Sequence, residues 1–381
     1  RKGCNVMATV DVFILWGLAL VTLVVVLATL LPMLRLSHWV IRGFDFPRLQ
    51  LAAVALVVLI LQLALLDLGR PLSWFLVTAT ALSLGCQLWW ILPYTVLWPR
   101  EVKAARHGDP ERTITILTSN VLTPNRNVGA LISLVEKHQP DVLVTLESDQ
   151  WWEDQLAVLK SRMPYTIQCP LDNLYGMHVF SRLPLIEAEC RFLIEDDVPS
   201  MHALVELRSG EKVRIHFLHP APPSPTENPE SAERDAELVI VGRSVADTDE
   251  PVIVTGDLND VAWSPTTRLF RKVSGLLDPR VGRGLHSTFH ADYPLLRWPL
   301  DHLFHSEHFT LVSIQRLPSI GSDHFPLLTR LRYAPVRGQD QEPLQGDRDD
   351  DQWAKELARE QGASKHDVPE PGQGPEEINR K

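Results

Sequence analysis

Three apolar runs open the chain, before the pattern changes to short alternating segments. Residues 12–34 and 72–93 are almost wholly apolar, and Leu51–Leu66 is a shorter run that only Gln62 interrupts. About 20 apolar residues cross a bilayer as a helix. We therefore predict that residues 1–99 form a membrane anchor with about three transmembrane helices, over about 12–34, 50–67 and 72–93. A cleaved signal peptide is the alternative for the first run, and a buried core helix is the alternative for the second.

From Thr113 onwards, short segments with strand-like and helix-like spacing follow one another. Strands outnumber helices, but helices recur between them, which favours an α/β or α+β sandwich with sheets in the middle and helices outside. The predicted helices are Val128–His138, Trp151–Ser161 and Glu227–Val245. The predicted strands are Ile114–Asn120, Pro140–Glu147, Tyr165–Cys169, His178–Phe180, Glu187–Phe192, Ala203–Leu207, Val213–Leu218, Val252–Val254, Asp301–His305, Leu311–Arg316 and Leu327–Leu331.

Two polar segments border this domain. Residues 100–112 have the composition of a linker. Residues 334–381 are charged, rich in Pro and Gly and poor in large apolar side chains, so they lack the surface needed to form a core. We predict a disordered tail over 334–381, in which Gln352–Gln361 could form a short helix.

The charge balance limits the classes of partner. The whole chain carries a formal net charge of −10, and acidic residues outnumber basic ones by 32 to 24 between Arg100 and Arg332. A nuclease needs a basic surface for phosphates, so this balance argues against tight non-specific binding of nucleic acid. Cys169 and Cys190 lie on two predicted strands, either as a disulfide, which would indicate an oxidising compartment, or as two free thiols.

Basic residues around the apolar runs bear on the side of the membrane. With three spans, the segments that follow the first and third runs lie on one side, and the chain start and the second loop lie on the other. The first side carries Arg35, Arg42, Arg48, Arg100, Lys103 and Arg106, against Arg1, Lys2 and Arg70 on the second. By the positive-inside rule the large C-terminal domain would be cytoplasmic.

Polar side chains end several of the predicted strands. Side chains two apart on an extended segment point the same way, so Asp257 and Asn259 can face one ligand. Carboxylate and amide oxygens suit a hard divalent cation, and an imidazole held by a carboxylate suits a phosphoryl transition state. Taken singly, Asn120 could instead cap a loop, and Asp257 with Asn259 could form an Asx-turn. The candidate residues are Asn120, Glu147, His219, Asp257, Asn259, Asp301, Asp323 and His324.

In their order along the chain, these motifs resemble the endonuclease/exonuclease/phosphatase superfamily, which has the DNase I-like fold. The motifs are Thr-Ser-Asn120, Leu-Glu147-Ser, Ser181-Arg, Leu-His219-Pro, Thr-Gly-Asp257-Leu-Asn259-Asp, Pro-Leu-Asp301-His and Gly-Ser-Asp323-His324. The resemblance implies a catalytic domain over residues 113–333. It also implies an α/β (α+β) four-layer sandwich, in which two central mixed β-sheets are flanked by helices, here preceded by transmembrane helices.

The resemblance further implies roles for the site residues. Asn120, Glu147 and Asp323 would hold Mg²⁺, or Mn²⁺ in its place. Asp257 would orient or deprotonate the attacking water, and the sequence leaves open how it shares the role of base with the His324–Asp301 pair.

The remaining residues would contact the phosphate. Asn259 would hydrogen-bond the transferred phosphoryl group, while His324, oriented by Asp301, and His219 would stabilise it from two sides. His178 departs from the small residue usual in the family, and packing or a phosphate contact could explain it.

The implied function is a membrane-anchored, metal-dependent hydrolase of phosphate ester bonds. Its substrate would be a phosphomonoester, phosphodiester or pyrophosphate, including a lipid-linked one, because the anchor holds the site close to the bilayer. A membrane-anchored nuclease is the less favoured alternative. A membrane scaffold on an inactive fold is the alternative outside enzymes, but it would require the loss of metal-binding residues, all of which are present in this sequence. Resemblance to anchored members of the superfamily favours a multi-pass protein of the inner membrane with an extracytoplasmic domain, against the charge count. Residues 292–298 would form either a lipid- or substrate-facing loop or a packed surface loop.

Overall fold

The computed structural model describes residues 2–105, 109–246, 248–338 and 340–370, without the side chains of residues 2–10 and 337–338. Its first part consists of helices α1 (Lys2–Leu30), α2 (Trp39–Gly43), α3 (Arg48–Leu65) and α4 (Pro71–Ile91). Three helical segments, Asp11–Leu34, Arg48–Leu65 and Pro71–Tyr94, are long and apolar enough to cross a membrane. The chain therefore has three candidate spans where the apolar runs predict them.

Gln62, the one polar residue within the second run, lies between all three long helices. Its Nε2 donates to Thr22 Oγ1 on α1 at 2.7 Å and to Thr80 Oγ1 on α4 at 3.0 Å. Side-chain hydrogen bonds of this kind hold helices together where the surroundings are apolar. Gln62 thus stabilises the packing of the anchor.

The rest of the chain forms two mixed sheets. The first has six strands in the order β10-β11-β1-β2-β4-β3, and the second has five in the order β5-β6-β7-β8-β9. In each sheet one pair is parallel, β1 with β2 and β7 with β8, and all other pairs are antiparallel. The strands are β1 Thr113–Asn120, β2 Val142–Leu146, β3 Tyr165–Cys169, β4 Met177–Ser181, β5 Leu185–Arg191, β6 Ser200–Glu206, β7 Lys212–Leu218, β8 Val252–Asp257, β9 Asp301–His305, β10 Phe309–Arg316 and β11 Leu327–Tyr333.

The sheets pack face to face, and helices cover their outer faces. One core cluster lies between the sheets and includes Ile116, Val144, Ile215 and Ile253. Helices α5 (Val128–His138) and α6 (Gln150–Leu156) contribute to the cluster outside the first sheet. Helices α7 (Ala232–Val245) and α8 (Pro265–Ser274) cover the second. Apolar side chains on both faces of each sheet require this arrangement, and the predicted four-layer sandwich is confirmed.

The segment predicted as a linker is packed against the domain. Val102 is fully buried in the core between the sheets, and Glu101 accepts a 2.6 Å hydrogen bond from the buried Arg271 on α8. The backbone at Ala104 pairs with Leu311 on β10. The expectation of a free linker is therefore wrong for residues 101–104, because one apolar side chain and one ion pair hold them in place.

The tail also differs from the predicted disorder over residues 340–370. After the short helix α9 (Pro335–Gly338), helix α10 (Arg348–Glu360) buries Ala354 and Ala358 against the apolar clusters of α7 and α8. Asp347 caps this helix by accepting from the backbone N–H groups of Asp349 and Asp350. Small residues at i and i+4 allow close packing in a segment with few large apolar side chains. The predicted disorder of residues 371–381 lies outside the described residues.

The domain docks directly on the anchor. The indole N–H of Trp263 donates to the carbonyl of Asp45, between α2 and α3, at 2.7 Å. The Tyr94 hydroxyl, after α4, donates to the carbonyl of Ala262 at 2.6 Å. Two separate anchor segments, one between α2 and α3 and one after α4, therefore contact the same loop, which follows β8.

Candidate active site

The sheet topology brings all eight predicted site residues to one edge of the sandwich. Parallel strands end at the same edge, so Asn120 and Glu147 after β1 and β2, and His219 and Asp257 at β7 and β8, come together. The start of an antiparallel neighbour lies at that same edge. Asp301 opens β9 and pairs in register with Asp257. Asp323 and His324 precede β11, whose Leu327 pairs with Thr118 of β1.

Asn120 joins the halves of the site that come from the two sheets. Its Nδ2 donates to Glu147 Oε1 at 2.7 Å and to Asp257 Oδ2 at 3.2 Å, and its Oδ1 accepts from the N–H of Leu122 at 3.1 Å. An amide nitrogen cannot ligate a cation. In this arrangement Asn120 orients two carboxylates, which differs from the predicted role as a metal ligand.

Two strand ends turn through the left-handed region to bring their side chains into the site. Glu147 has φ 56° and Asn259 has φ 50°, values that are uncommon outside glycine and concentrate at functional sites. The expectation of an extended Asp257–Asn259 segment is wrong at Asn259, whose N–H donates to Asp257 Oδ1 at 2.9 Å as an Asx-turn. The Asn259 side chain donates to the Pro220 carbonyl at 3.0 Å, beside His219.

Gly256 explains the Thr-Gly-Asp order of the β8 motif. Its φ is 151°, and a Cβ built there would lie 1.8 Å from the carbonyl oxygen of Leu218 on β7. Only glycine avoids that collision. Strands β7 and β8 therefore approach closely where they deliver His219 and Asp257.

His324 lies between two carboxylates. Its Nδ1 is 2.8 Å from Asp301 Oδ2, and its Nε2 is 3.4 Å from Asp257 Oδ2. Burial lowers the pKa of the imidazole, but the charges of Asp257, Asp301 and Asp323 outweigh it and raise the pKa to about 10. Both ring nitrogens then carry protons, so His324 is a cation at neutral pH.

Glu147 has a buried oxygen that its surroundings do not satisfy. Its Oε2 has no hydrogen-bond partner within the described part of the chain. Burial, reinforced by Asp323 and Asp257 and opposed by Asn120 and His324, raises the pKa of this carboxyl to about 7. A divalent cation beside Oε2 would replace the missing partner and keep Glu147 ionised. Glu147 and the half-buried Asp323 offer the hard oxygen ligands that Mg²⁺ or Mn²⁺ takes.

Asp257, Asp301 and His324 also lie close enough together to be a metal site, with one candidate ligand atom from each within 4.8 Å of the others. Both ring nitrogens of His324 already face carboxylates, Asp301 at 2.8 Å and Asp257 at 3.4 Å. We therefore describe these three residues as an ion-pair cluster. Glu147 and Asp323 are the remaining carboxylates of the site that could face a cation.

His219 lies at the same edge as the other site residues, and its imidazole is uncharged at neutral pH. It is fully buried, and burial lowers its pKa to about 4 although Asp257 opposes the shift. Its Nδ1 has no hydrogen-bond partner among the residues described, and its ring lies 5.4 Å from that of Tyr175. His219 can exchange a hydrogen bond with a phosphate oxygen, but the cationic contact comes from His324 alone.

Two aromatic residues that the sequence did not single out border the site. The ring of Tyr175 lies beside that of His219 at a tilt of 45°, and its hydroxyl donates to Glu227, while the ring of Phe289 lies 4.9 Å from that of His324. Neither lies in a motif with an evident polar function, so only the packing identifies them. His178 has a packing role, because its ring is fully buried between Ser148, at 2.6 Å, and Glu153, at 3.3 Å.

Residues 292–296 are exposed, while Arg297 and Trp298 are half-buried. Leu295 is 85% exposed and Tyr293 is 57% exposed, and the carbonyl of Leu295 accepts from the Gln50 side chain of α3 at 2.7 Å. Tyr293 and Leu295 therefore form an exposed apolar tip beside a candidate membrane helix.

The model of the Endonuclease/Exonuclease/phosphatase family matches residues 117–324. Similar solved structures include a humanized TDP2 of D. rerio, at 18% identity over 58% of this chain and 99% of that one, with a TM-score of 0.48. They also include the human Nocturnin catalytic domain with bound sulfate, at 16% identity over 60% and 97% of the two chains, with a TM-score of 0.47. Beta toxin from Staphylococcus aureus has 17% identity over 58% and 99%, with a TM-score of 0.42. No curated protein matches the chain significantly.

Proposed function

Because this chain belongs to the endonuclease/exonuclease/phosphatase family, we propose that it is a membrane-anchored, divalent-metal-dependent phosphoesterase that acts on a phosphate ester or pyrophosphate at the bilayer surface. The family includes phosphoesterases and nucleases. One observation carries the choice between them: the edge of the sandwich that bears the site is the edge that docks on the anchor.

Two lines of contact support this proximity. The loop after Asp257 ends at Trp263, which donates to the Asp45 carbonyl of the anchor. On the other side of the site, the ring of Phe289 contacts that of His324, and Trp298 lies 6.2 Å from Phe289 and 5.6 Å from Phe46 of the anchor, measured between ring centroids. A substrate whose phosphate lies at the head-group level would reach this site without leaving the membrane.

Glu147, which Asn120 orients, and Asp323 would hold the cation. When bound, Mg²⁺ or Mn²⁺ supplies positive charge to the phosphoryl oxygens and acidifies a bound water. The Asn120 amide keeps Glu147 and Asp257 apart at fixed positions, so the two carboxylates retain separate tasks.

Asp257 is the residue that we assign as the general base. His324 faces a carboxylate with each ring nitrogen and has no free lone pair with which to take a proton from water. The imidazolium of His324, oriented by Asp301, would neutralise charge on the phosphoryl oxygens. Asn259 and neutral His219 would add hydrogen bonds, since both border Asp257 at the ends of β7 and β8.

The charge balance supports a lipid-linked phosphate over nucleic acid, whereas the proposed extracytoplasmic side of the domain rests on the resemblance to anchored members of the superfamily. The excess of acidic residues disfavours a long polyanion. Part of the positive charge on the domain side of the anchor is neutralised internally, because the buried Arg42 and Arg48 flank Asp45 at 3.8 and 2.5 Å. The raw count of arginines therefore overstates the free positive charge on that side.

A substrate comparison with the full-length chain in detergent micelles tests the proposal. We expect Mg²⁺-dependent phosphate release from a polyprenyl pyrophosphate in the same micelles to be at least ten-fold faster than nicking of plasmid DNA at equal phosphate concentration. Bis-p-nitrophenyl phosphate reports the chemistry without the lipid. Rapid nicking with an untouched lipid substrate would support a nuclease instead, and hydrolysis of none of the three with Mg²⁺ or Mn²⁺ would contradict the proposal.

A further inference from the structure

A second site lies beside the first, at the junction of the domain and the anchor. A cavity of about 480 Å³ opens between the first turn of α3, at Leu49 and Gln50, and the domain segments that carry His286, Arg297 and Arg316. Its mouth includes Leu295, which is 85% exposed. None of these residues belongs to the catalytic cluster.

The cavity has positive charge without an internal counter-ion. In the described part of the chain, neither Arg297 nor Arg316 forms an ion pair with a carboxylate. Instead they donate to the carbonyls of Ala291, at 2.7 Å, and Ser287, at 2.9 Å. These bonds use only part of the five N–H groups on each guanidinium.

The two arginines line the same cavity and contact the same aromatic ring. The guanidinium groups lie 5.0 Å (Arg297) and 4.5 Å (Arg316) from the centroid of Phe325. Burial and the charge of Arg297 lower the pKa of Arg316, so an anion between them would relieve a repulsion. His286 adds a ring nitrogen, Nε2, that is buried with no partner among the described residues. Paired arginines with one further polar group suit the tetrahedral oxygens of a phosphate.

The apolar rim of the cavity favours a phospholipid over a free phosphate ion. A free phosphate ion gains nothing from Leu49, Leu295 and the neighbouring exposed Tyr293, whereas acyl chains would cover them. The α3 side of the cavity is the first turn of a candidate membrane span, at the depth where lipid head groups lie. Two accessible arginines without a carboxylate partner in the described chain, next to an exposed apolar tip, suit the head group and acyl chains of an anionic phospholipid.

We propose that this cavity binds the head-group phosphate of an anionic bilayer phospholipid, with Arg297 and Arg316 as the recognising groups and Leu49 and Leu295 against its acyl chains. The lipid is not the reacting substrate, so the inference goes beyond the proposed function. The cavity is linked to the catalytic site, because Phe325 follows His324 directly and the N–H of Ala291 donates to the Asp323 carbonyl at 2.6 Å. The bound lipid would steady the segment that carries both residues.

Native mass spectrometry of the full-length chain in detergent tests this inference. We expect phosphatidylglycerol to bind at least five-fold more tightly than phosphatidylcholine with the same acyl chains. The double variant Arg297→Gln/Arg316→Gln should lose that preference, while Arg297→Lys/Arg316→Lys should keep part of it. Arg162→Gln, which removes an exposed arginine elsewhere on the domain, is the matched control and should behave as the wild type.

Several outcomes separate the inference from its rivals. An unchanged preference for phosphatidylglycerol in the Gln double variant, with its melting temperature confirming a folded protein, overturns the inference. Inorganic phosphate that displaces the lipid at equal concentration shows a simple anion site and also overturns it. Leu295→Asp, at an exposed position that folding does not depend on, should weaken lipid binding. Glu147→Gln should bind lipid normally, so a failure of the proposed hydrolysis leaves this result intact.

Discussion

At the scale of single residues, the role of the Asp301 carboxylate, which pairs with His324, can be tested by substitution. Asp301 Oδ2 lies 2.8 Å from Nδ1 of the ring and helps to keep it cationic. Asp301→Asn retains the shape and one hydrogen bond but removes the charge. We expect kcat for bis-p-nitrophenyl phosphate to fall by about 100-fold, in the range for loss of electrostatic stabilisation of the transition state, with a smaller change in KM. Asp249→Asn, on the exposed surface, should leave both constants unchanged. An Asp301→Asn variant as active as wild type would show that Asp301 has no role in catalysis.

Glu237 on α7 gives a pH-dependent stability. Burial, with a smaller contribution from Glu195, raises the pKa of its carboxyl from 4.5 to about 8, and its Oε1 has no partner within the described chain. Because the pKa is raised in the folded state, folding favours the protonated form of Glu237. The resulting stabilisation is complete below pH 4.5 and is lost as the pH rises through 8. The full loss is up to about 5 kcal/mol, at about 1.4 kcal/mol per pKa unit.

The Glu237→Gln variant should therefore melt at a higher temperature than wild type at pH 9, and the difference should shrink towards pH 5. Thermal melts of the full-length protein in detergent at pH 5, 7 and 9 measure this. Glu250→Gln, at an exposed position, controls for the loss of a charge. Parallel melting curves for wild type and Glu237→Gln across the pH range would be the contrary result.

The sequence predicts which residues form the site better than it predicts what each one does. Polar strand ends are visible in the sequence, and the family resemblance groups them into one site; the sheet pairing then brings all eight candidates to one edge. The donor direction of the Asn120 amide depends on Glu147 and Asp257, which are far from it in the chain, so no local pattern announces it. The turn at Asn259 is local, and it is the Asx-turn that the sequence offered as the alternative to an extended segment. The neutral state of His219 depends on burial, which also arises only from the fold.

At the scale of elements, α10 contains most of the possible helix over Gln352–Gln361 but begins earlier and packs against the domain, in a tail that was predicted to be disordered. Ala354 and Ala358 are buried against α7 and α8, and Lys272 on α8 pairs with Asp350 at 2.7 Å. Composition alone favours disorder, since the helix has few large apolar residues. Helix α8 was also missed, although Ser264 caps its start and Gly275 follows its end in the left-handed region. Those capping signals are in the sequence, but the helix is amphipathic over only ten residues.

A buried charge on α10 tests whether this helix belongs to the folded domain. Ala354→Asp places a carboxylate without a partner in the interface with α7 and α8, at a cost of about 2–4 kcal/mol. We expect the melting temperature to fall by about 5–10 °C. Glu356→Asp puts the same side chain on the exposed face of the helix and should change the melting temperature by less than about 2 °C. Equal melting temperatures for the two variants would mean that α10 does not stabilise the domain.

At the scale of the whole molecule, three spans put the domain and the loop between α3 and α4 on opposite sides of the membrane. We propose that the domain is extracytoplasmic, so Gly69 in that loop would face the cytoplasm. A Gly69→Cys variant with the native cysteines replaced by Ser should react with a membrane-impermeant maleimide only after the cells are permeabilised. An alkaline phosphatase fused after residue 370 should be active. Labelling of intact cells, together with an inactive fusion, would place the domain in the cytoplasm.

A metal-dependent hydrolytic site at the acidic edge beside the anchor would depend on the charge of Glu147. Its buried Oε2 has no partner in the described chain, and Glu147→Gln keeps the volume of the side chain while removing the charge that a cation needs. The deciding measurement is the initial rate of bis-p-nitrophenyl phosphate hydrolysis by full-length protein, with Mg²⁺ or with EDTA. We predict that EDTA abolishes wild-type activity and that Glu147→Gln lowers it at least 1,000-fold at saturating Mg²⁺, about 4 kcal/mol of transition-state stabilisation, while the exposed control Glu136→Gln stays at the wild-type rate. Wild-type activity that survives EDTA, or a Glu147→Gln variant as fast as Glu136→Gln, would contradict the account.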